Sequence, residues 1–238
     1  MPRFFLENPI TDIAELTGAD AAHAVKSLRM REGDEITLCD SAGTDYHGII
    51  TAAAADSLAV KIIAREKSPG EPQTAITLYQ AMPKADKLDF IVQKATELGA
   101  CAIVPVLTER CISRPDDKSM AKKLEKLNRT ALEAAKQAGR GIIPRVLPML
   151  KYREAVLQMR ESELALLFYE CAKMPLRDAV RPAKTVAVMI GSEGGFSPQE
   201  AAFAAENGIP PVSLGSRILR CETAPICAIS QLLYALEV

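Results

Sequence analysis

Tryptophan is absent from this 238-residue chain, aromatic residues make up 5% of it, and the only histidines are His23 and His47. So few rings leave little material for an extended base-stacking platform of the kind that grips single strands. Two histidines and six cysteines without a C-x-x-C pair give no metal framework, so no metal is expected. Cys221 and Cys227 read as packing residues, and unpaired thiols suit a reducing, cytosolic setting. No apolar run approaches the length of a membrane span, and Met1-Pro2-Arg3-Phe4 does not lead into a signal-peptide core. The expectation is therefore a cytoplasmic protein with no membrane partner. Excess charge is missing too: 29 basic residues face 30 acidic ones, for a net charge of −1. A generic polyanion binder would be basic throughout.

That balance hides an uneven distribution. Residues 1–72 hold 7 basic against 12 acidic residues, whereas residues 84–145 hold 13 basic against 8 acidic. Any contact with a polyanion must be local, and selectivity must come from shape and a few base contacts. With 48% hydrophobic residues the chain can bury a substantial core in one large or two modest domains.

The organisation changes near Ser68-Pro69-Gly70-Glu71-Pro72, whose proline and glycine content marks a linker. Before it, Glu35–Cys39, Tyr46–Thr51 and Leu58–Ile63 read as short strands, with turn chemistry at Asp40-Ser41-Ala42-Gly43. After it, strand and helix alternate. Ile76–Gln80, Ala102–Leu107, Leu164–Tyr169, Thr185–Ile190 and Val212–Leu214 are the strands. Leu88, Ile91, Val92, Ala95 and Leu98 line one helix face between the first two. This alternation predicts a largely parallel sheet covered by helices.

Two glycine-bearing loops then stand out. The buried strand Thr185–Ile190 runs into Gly191-Ser192-Glu193-Gly194-Gly195. Ser197-Pro198-Gln199-Glu200 follows as a helix start, with an N-cap serine, an N1 proline and a capping-box glutamate. The loop spells G-x-x-G-G rather than G-x-G-x-x-G, and no G-K-[ST] follows, which disfavours a dinucleotide or a nucleoside triphosphate. The second loop, from Leu214-Gly215 to Thr223-Ala224, carries Arg217, Arg220 and Glu222, charges that a structural turn does not need. Thr223 is placed to cap a final helix with Ile226, Ile229, Leu232, Leu233 and Leu236 at helical spacing. Together the loops predict a small-ligand pocket.

The pair Ile190-Gly-Ser-Glu-Gly-Gly-Phe-Ser and Leu214-Gly-Ser-Arg-Ile-Leu-Arg-Cys-Glu-Thr-Ala strongly resembles the RsmE family, the 16S rRNA (uracil-N3)-methyltransferases of the knotted SPOUT superfamily. The resemblance extends along the chain through Arg3-Phe4-Phe5, the block from His23 to Asp34, Gln93–Gly99, Glu109-Arg110 and Glu133–Arg140 with Pro144. Ser192 stands where that family usually has proline, and Cys221 where it usually has threonine. The fold implied is α/β: a SPOUT trefoil-knot domain with a parallel sheet over residues 73–238, preceded by a small PUA-like β-barrel over residues 1–70. Implied with it are S-adenosyl-L-methionine as cofactor, a homodimer, and 16S rRNA in the small ribosomal subunit as substrate.

Carried onto this sequence, the resemblance assigns cofactor contacts to Tyr169, Gly191, Glu193, Gly194, Gly195, Leu214, Gly215, Ile218, Leu219, Thr223 and Ala224. Uracil N3 holds a proton at neutral pH, so the reaction needs a base and a cation to stabilise charge spreading to O2 and O4. Glu170, at the end of an apolar strand, is the preferred base, with Arg220 first and Arg217 second as charge stabilisers. Structural ion pairs of these arginines with Glu222 or Glu193 are the competing reading, and Glu193 is expected chiefly to order its own loop. RNA contacts fall to Arg3, Arg29 and Arg31 in the small domain and to Lys84, Lys87, Lys94, Arg110 and Arg140 in the large one. His23 reads as a structural hydrogen-bonding residue. A ribose 2′-O-methyltransferase is disfavoured because Arg220-Cys221-Glu222-Thr223-Ala224 replaces the S-L-N-V-S such enzymes carry. A non-catalytic assembly factor would not need both glycine loops.

Overall fold

The computed structural model describes residues 2–6 and 10–237. It divides into two compact units, one formed by Met1–Glu71 with Ala135–Ile143, the other by Pro72–Ala134 with Pro144–Val238.

The small unit is a five-stranded sheet in the order β1-β3-β4-β5-β2. Its strands are β1 (Arg3–Phe5), β2 (Ile13–Thr17), β3 (Glu35–Cys39), β4 (Thr44–Ala53) and β5 (Ser57–Lys67). β1 runs parallel to β3 and the other pairs are antiparallel. A short helix, α1 (Gly18–Ala22), and a π-helical turn over His23–Ser27 follow β2. Register breaks at His47/Gly48 and Ile50/Ala52 increase the local twist and curl the sheet around Phe4, Leu16, Ile36, Leu38, Ile50, Leu58 and Val60. β3 has the expected bounds, while β4 and β5 outrun the sequence reading because they pair with one another along most of their length. The exposed His23 ring sits edge-on to Phe4, with centroids 6.5 Å apart, and makes no side-chain hydrogen bond among the described residues.

The large unit carries the parallel sheet, in the order β11-β13-β10-β12-β6-β7-β8, with β9 also pairing β7. Its elements are β6 (Ala75–Ala81), α2 (Lys87–Glu97), β7 (Ala102–Leu107), α3 (Asp117–Ala138, which passes into the small unit at Ala135), β8 (Arg145–Val146), β9 (Leu150–Lys151) and α4 (Tyr152–Met159). They continue with β10 (Leu164–Phe168), β11 (Met174–Pro175), α5 (Leu176–Ala179), β12 (Thr185–Ile190), α6 (Pro198–Glu206), β13 (Pro211–Ser213) and α7 (Ala224–Glu237). Both faces are covered, which is why the central strands read as unbroken apolar runs. Along β12, Val186, Val188 and Ile190 join a core with α2, α3 and α7, whereas Ala187 and Met189 join one with α4 and α6. Pro105 has no N–H to give, and it falls where the outer neighbour of β7 is interrupted between β8 and β9.

This order sets the functional geometry. β13, β10 and β12 are parallel neighbours, so the chain leaves all three at one carboxyl edge, the place where open α/β sheets bind ligands.

Candidate active site

Three loops follow those three strands, and between them lies a cavity of about 570 Å³. Phe168, Tyr169 and Glu170 come from the end of β10, Gly191 to Gly195 from the end of β12, and Ser213 to Cys221 from the end of β13; Lys87 and Ala224 open α2 and α7 beside them. Every residue assigned above to cofactor or chemistry lines this cavity except Thr223, whose backbone N–H instead donates to the Arg220 carbonyl at 2.9 Å in the turn that starts α7.

The first loop is a tight turn closed by the Gly195 N–H donating to the Ser192 carbonyl at 3.0 Å. Gly195 adopts φ +63°, and a Cβ there would lie 2.6 Å from Glu170 Oε1, so only glycine lets the carboxylate rest against this backbone. At Gly194 a Cβ would come within 3.0 Å of Arg110 Cβ, and Arg110 Nη1 donates to the Gly194 carbonyl at 3.0 Å. Arg110, an RNA-contact candidate from the sequence, thus braces the glycine loop while remaining exposed. Behind the loop, Gln80 Nε2 donates to the Gly191 carbonyl at 3.3 Å. Gln80 Oε1 and Ser192 Oγ are buried with no hydrogen-bond partner among the described residues. α6 begins as predicted, with reciprocal bonds between Ser197 and Glu200; Glu200 Oε1 also takes the Glu109 N–H at 2.8 Å.

The ion pairing differs from the sequence reading. Arg217 and Arg220 are exposed and have no ion-pair partner among the described residues. The partner of both carboxylates is Lys87, whose Nζ lies 3.1 Å from Glu193 Oε1 and 3.0 Å from Glu222 Oε2. Glu193 also accepts the Lys84 backbone N–H at 3.1 Å. Burial pushes Glu193 and Glu222 up, but backbone hydrogen bonds and Lys87 outweigh it and hold both below the ordinary carboxylate value. Hydrogen bonds to Glu222 and then Glu193 raise the Lys87 ammonium in turn. The Cys221 thiol is buried and donates to Glu222 Oε2 at 3.2 Å; burial first, and that bond second, push it up to about 12. It is therefore an unreactive thiol at neutral pH. Tyr169 is raised chiefly by its hydrogen bond with Cys171.

Two other RNA candidates also move. Arg140 is 2% exposed, and its guanidinium meets Glu71 through Nε at 2.9 Å and Nη2 at 2.7 Å. Arg3 pairs with buried Asp45 and donates to the Arg140 carbonyl at 3.1 Å. Both arginines are structural parts of the small unit, a correction the sequence could not supply because a motif match does not reveal burial. Lys94 is engaged with Glu97 at 2.8 Å on α2. Arg29, Arg31 and Lys84 are exposed, and Arg29 holds the left-handed conformation at φ +58°.

Residues 70–233 match a family model described as RNA methyltransferase domain, and residues 16–63 match one described as RNA methyltransferase PUA domain. Ribosomal RNA small subunit methyltransferase E of Bacillus subtilis (strain 168) is 30% identical over 250 residues, covering 100% of this chain and 98% of that protein. The chain belongs to the ribosomal RNA small subunit methyltransferase E family. A crystal structure of a family member from Neisseria gonorrhoeae, bound to S-adenosyl methionine, superposes with a TM-score of 0.88 at 34% identity, covering 99% of this chain and 98% of that one. The Synechocystis member (strain PCC 6803) is 32% identical over 242 residues, 99% of this chain and 76% of that protein.

Ser192 and Cys221, the two positions at which the resemblance leads one to expect other residues, both line the cavity. Among the described residues no group of three or more His, Cys, Asp or Glu side chains is arranged to hold a metal ion, and no helix is long and apolar enough to cross a membrane.

Proposed function

We propose that the chain transfers a methyl group from S-adenosylmethionine to N3 of a uridine in 16S rRNA, with the assembled small ribosomal subunit as substrate. The observation that carries this is the junction of the two glycine loops with Glu170, a carboxylate that has no hydrogen-bond or ion-pair partner among the described residues, at one carboxyl edge of the sheet. A cavity of about 570 Å³ suits a ligand of this size. Leu214, Ile218 and Leu219 offer apolar surface for adenine, the glycines offer backbone at close approach, and Gln80 and Ser192 keep unspent hydrogen-bonding capacity.

When bound, S-adenosylmethionine supplies an electrophilic methyl group on a sulfonium. The chain's own residues do the rest. Glu170 removes the N3 proton, since no group among the described residues competes for its oxygens. Arg220, with Arg217 beside it, balances the charge that spreads to O2 and O4. The loop walls fix the approach of the reacting atoms and keep water out. Arg29, Arg31, Lys84 and Arg110 remain as exposed contacts to phosphates, which makes binding modest and salt-dependent.

Residues 1–70 serve as the RNA-binding domain and 73–238 as the catalytic domain, whose C-terminal segment forms the trefoil knot of the SPOUT enzymes. The working form is a homodimer in the cytoplasm. The test is transfer of labelled methyl from S-adenosylmethionine to small subunits or to protein-free 16S rRNA, both from cells lacking the activity. Rapid labelling of the subunits and slow labelling of the bare RNA is the expected result. Equal or faster labelling of bare RNA contradicts the assembled substrate, and no label on either contradicts the reaction.

A further inference from the structure

Lys87 was expected on the RNA surface, but its side chain is 33% exposed and lines the cavity. It is the first residue of α2 and follows a turn in which Ala85 holds φ +52°, so the ammonium is delivered from a fixed backbone. The segment 80–87 grips the glycine loop at two points: Gln80 holds the Gly191 carbonyl, while the Lys84 N–H and Lys87 hold Glu193. The opposite wall is differently built. Residues 215–218 are exposed, and among the described residues every hydrogen bond made by 214–222 stays within 213–224 apart from those to Lys87. Lys87 reaches that wall through Glu222 at 3.0 Å and Cys221 at 3.8 Å.

We propose that Lys87 is a positioning residue for the cofactor, an ammonium tether that joins the two glycine-bearing walls of the cavity and sets the width of the cleft between them. The inference rests on the reading of this cavity as the S-adenosylmethionine site. Its physical basis is twofold. Glu193 and Glu222 share one ammonium, so removing it leaves two carboxylates to repel each other across the cleft. It also frees the 214–222 wall, whose ordering then opposes cofactor binding.

The experiment is calorimetric titration of Lys87→Met, Lys87→Arg and Glu222→Gln with S-adenosylmethionine, together with steady-state kinetics on small subunits and thermal melts. Lys87→Met should weaken cofactor binding roughly tenfold, the scale of a charge-assisted hydrogen bond. The loss should appear in KM for S-adenosylmethionine and leave KM for the subunit and its salt dependence unchanged. Lys87→Arg should recover most of the affinity, because a guanidinium can bridge two carboxylates. Glu222→Gln cuts one arm of the tether and should give a smaller loss in the same direction, readable even if Lys87→Met folds poorly. Wild-type affinity in Lys87→Met, a lower melting temperature with unchanged affinity, or a loss confined to subunit KM would each overturn the proposal, the last by making Lys87 an RNA contact. Failure of the unmodified protein to bind S-adenosylmethionine would instead remove the cavity assignment beneath it.

Discussion

Glu170→Gln lowers the rate of methyl transfer to the small subunit by about 10²–10⁴-fold, the usual contribution of a positioned general base. The affinity for S-adenosylmethionine stays at its wild-type value. The substitution preserves shape and hydrogen-bonding reach but removes basicity, and the Glu170 carboxylate lies against the Gly195 α-carbon, where glutamine fits equally well. Nothing else among the described residues occupies its oxygens, so the variant breaks no structural bond. Single-turnover rates and calorimetry separate the two readouts. Activity within a few-fold of wild type would make Glu170 a solvated carboxylate at a strand end, and a lost cofactor affinity would make it a binding residue.

Arg140→Ala destabilises the small unit by about 3–5 kcal/mol, because deleting one member of a buried ion pair leaves its partner charged and unpaired. Glu71 is that partner, and its Oε1 also accepts the Gly141 and Ile142 N–H groups at 2.8 and 3.0 Å. The pair therefore fixes the 135–143 segment within the small unit. Arg140→Lys should recover only part of the loss, since a point charge cannot reproduce the two-pronged contact. Denaturant unfolding measures the effect. A variant with wild-type stability but weaker, less salt-dependent RNA binding would return Arg140 to the RNA surface.

These two residues show how far the sequence reaches. Glu170 was legible because an apolar run ending in a carboxylate has one plausible place in a parallel sheet, its carboxyl edge. Likewise Ser197, Pro198 and Glu200 announce α6 through local capping chemistry, and the strands β7 and β12 have their predicted bounds because burial on both faces makes them unbroken apolar runs. Arg140, Arg3 and Lys87 have ionic partners that the sequence does not reveal, for one reason. A long cationic side chain looks the same in sequence whether it faces solvent or a carboxylate contributed from far along the chain, as Glu71 is for Arg140 and Glu222 for Lys87. β2 escaped notice because only Ala14 and Leu16 point inward, too weak an alternation to read. The short β8 and β9 owe their pairing to β7 rather than to any local signal.

In the proposed reaction, N3 of a uridine receives the methyl group. Small subunits from a strain lacking the activity, incubated with the protein and S-adenosylmethionine, should yield 3-methyluridine when their 16S rRNA is digested to nucleosides and analysed by mass spectrometry. A new 2′-O-methyl nucleoside, or no new nucleoside despite measured cofactor binding, would contradict it.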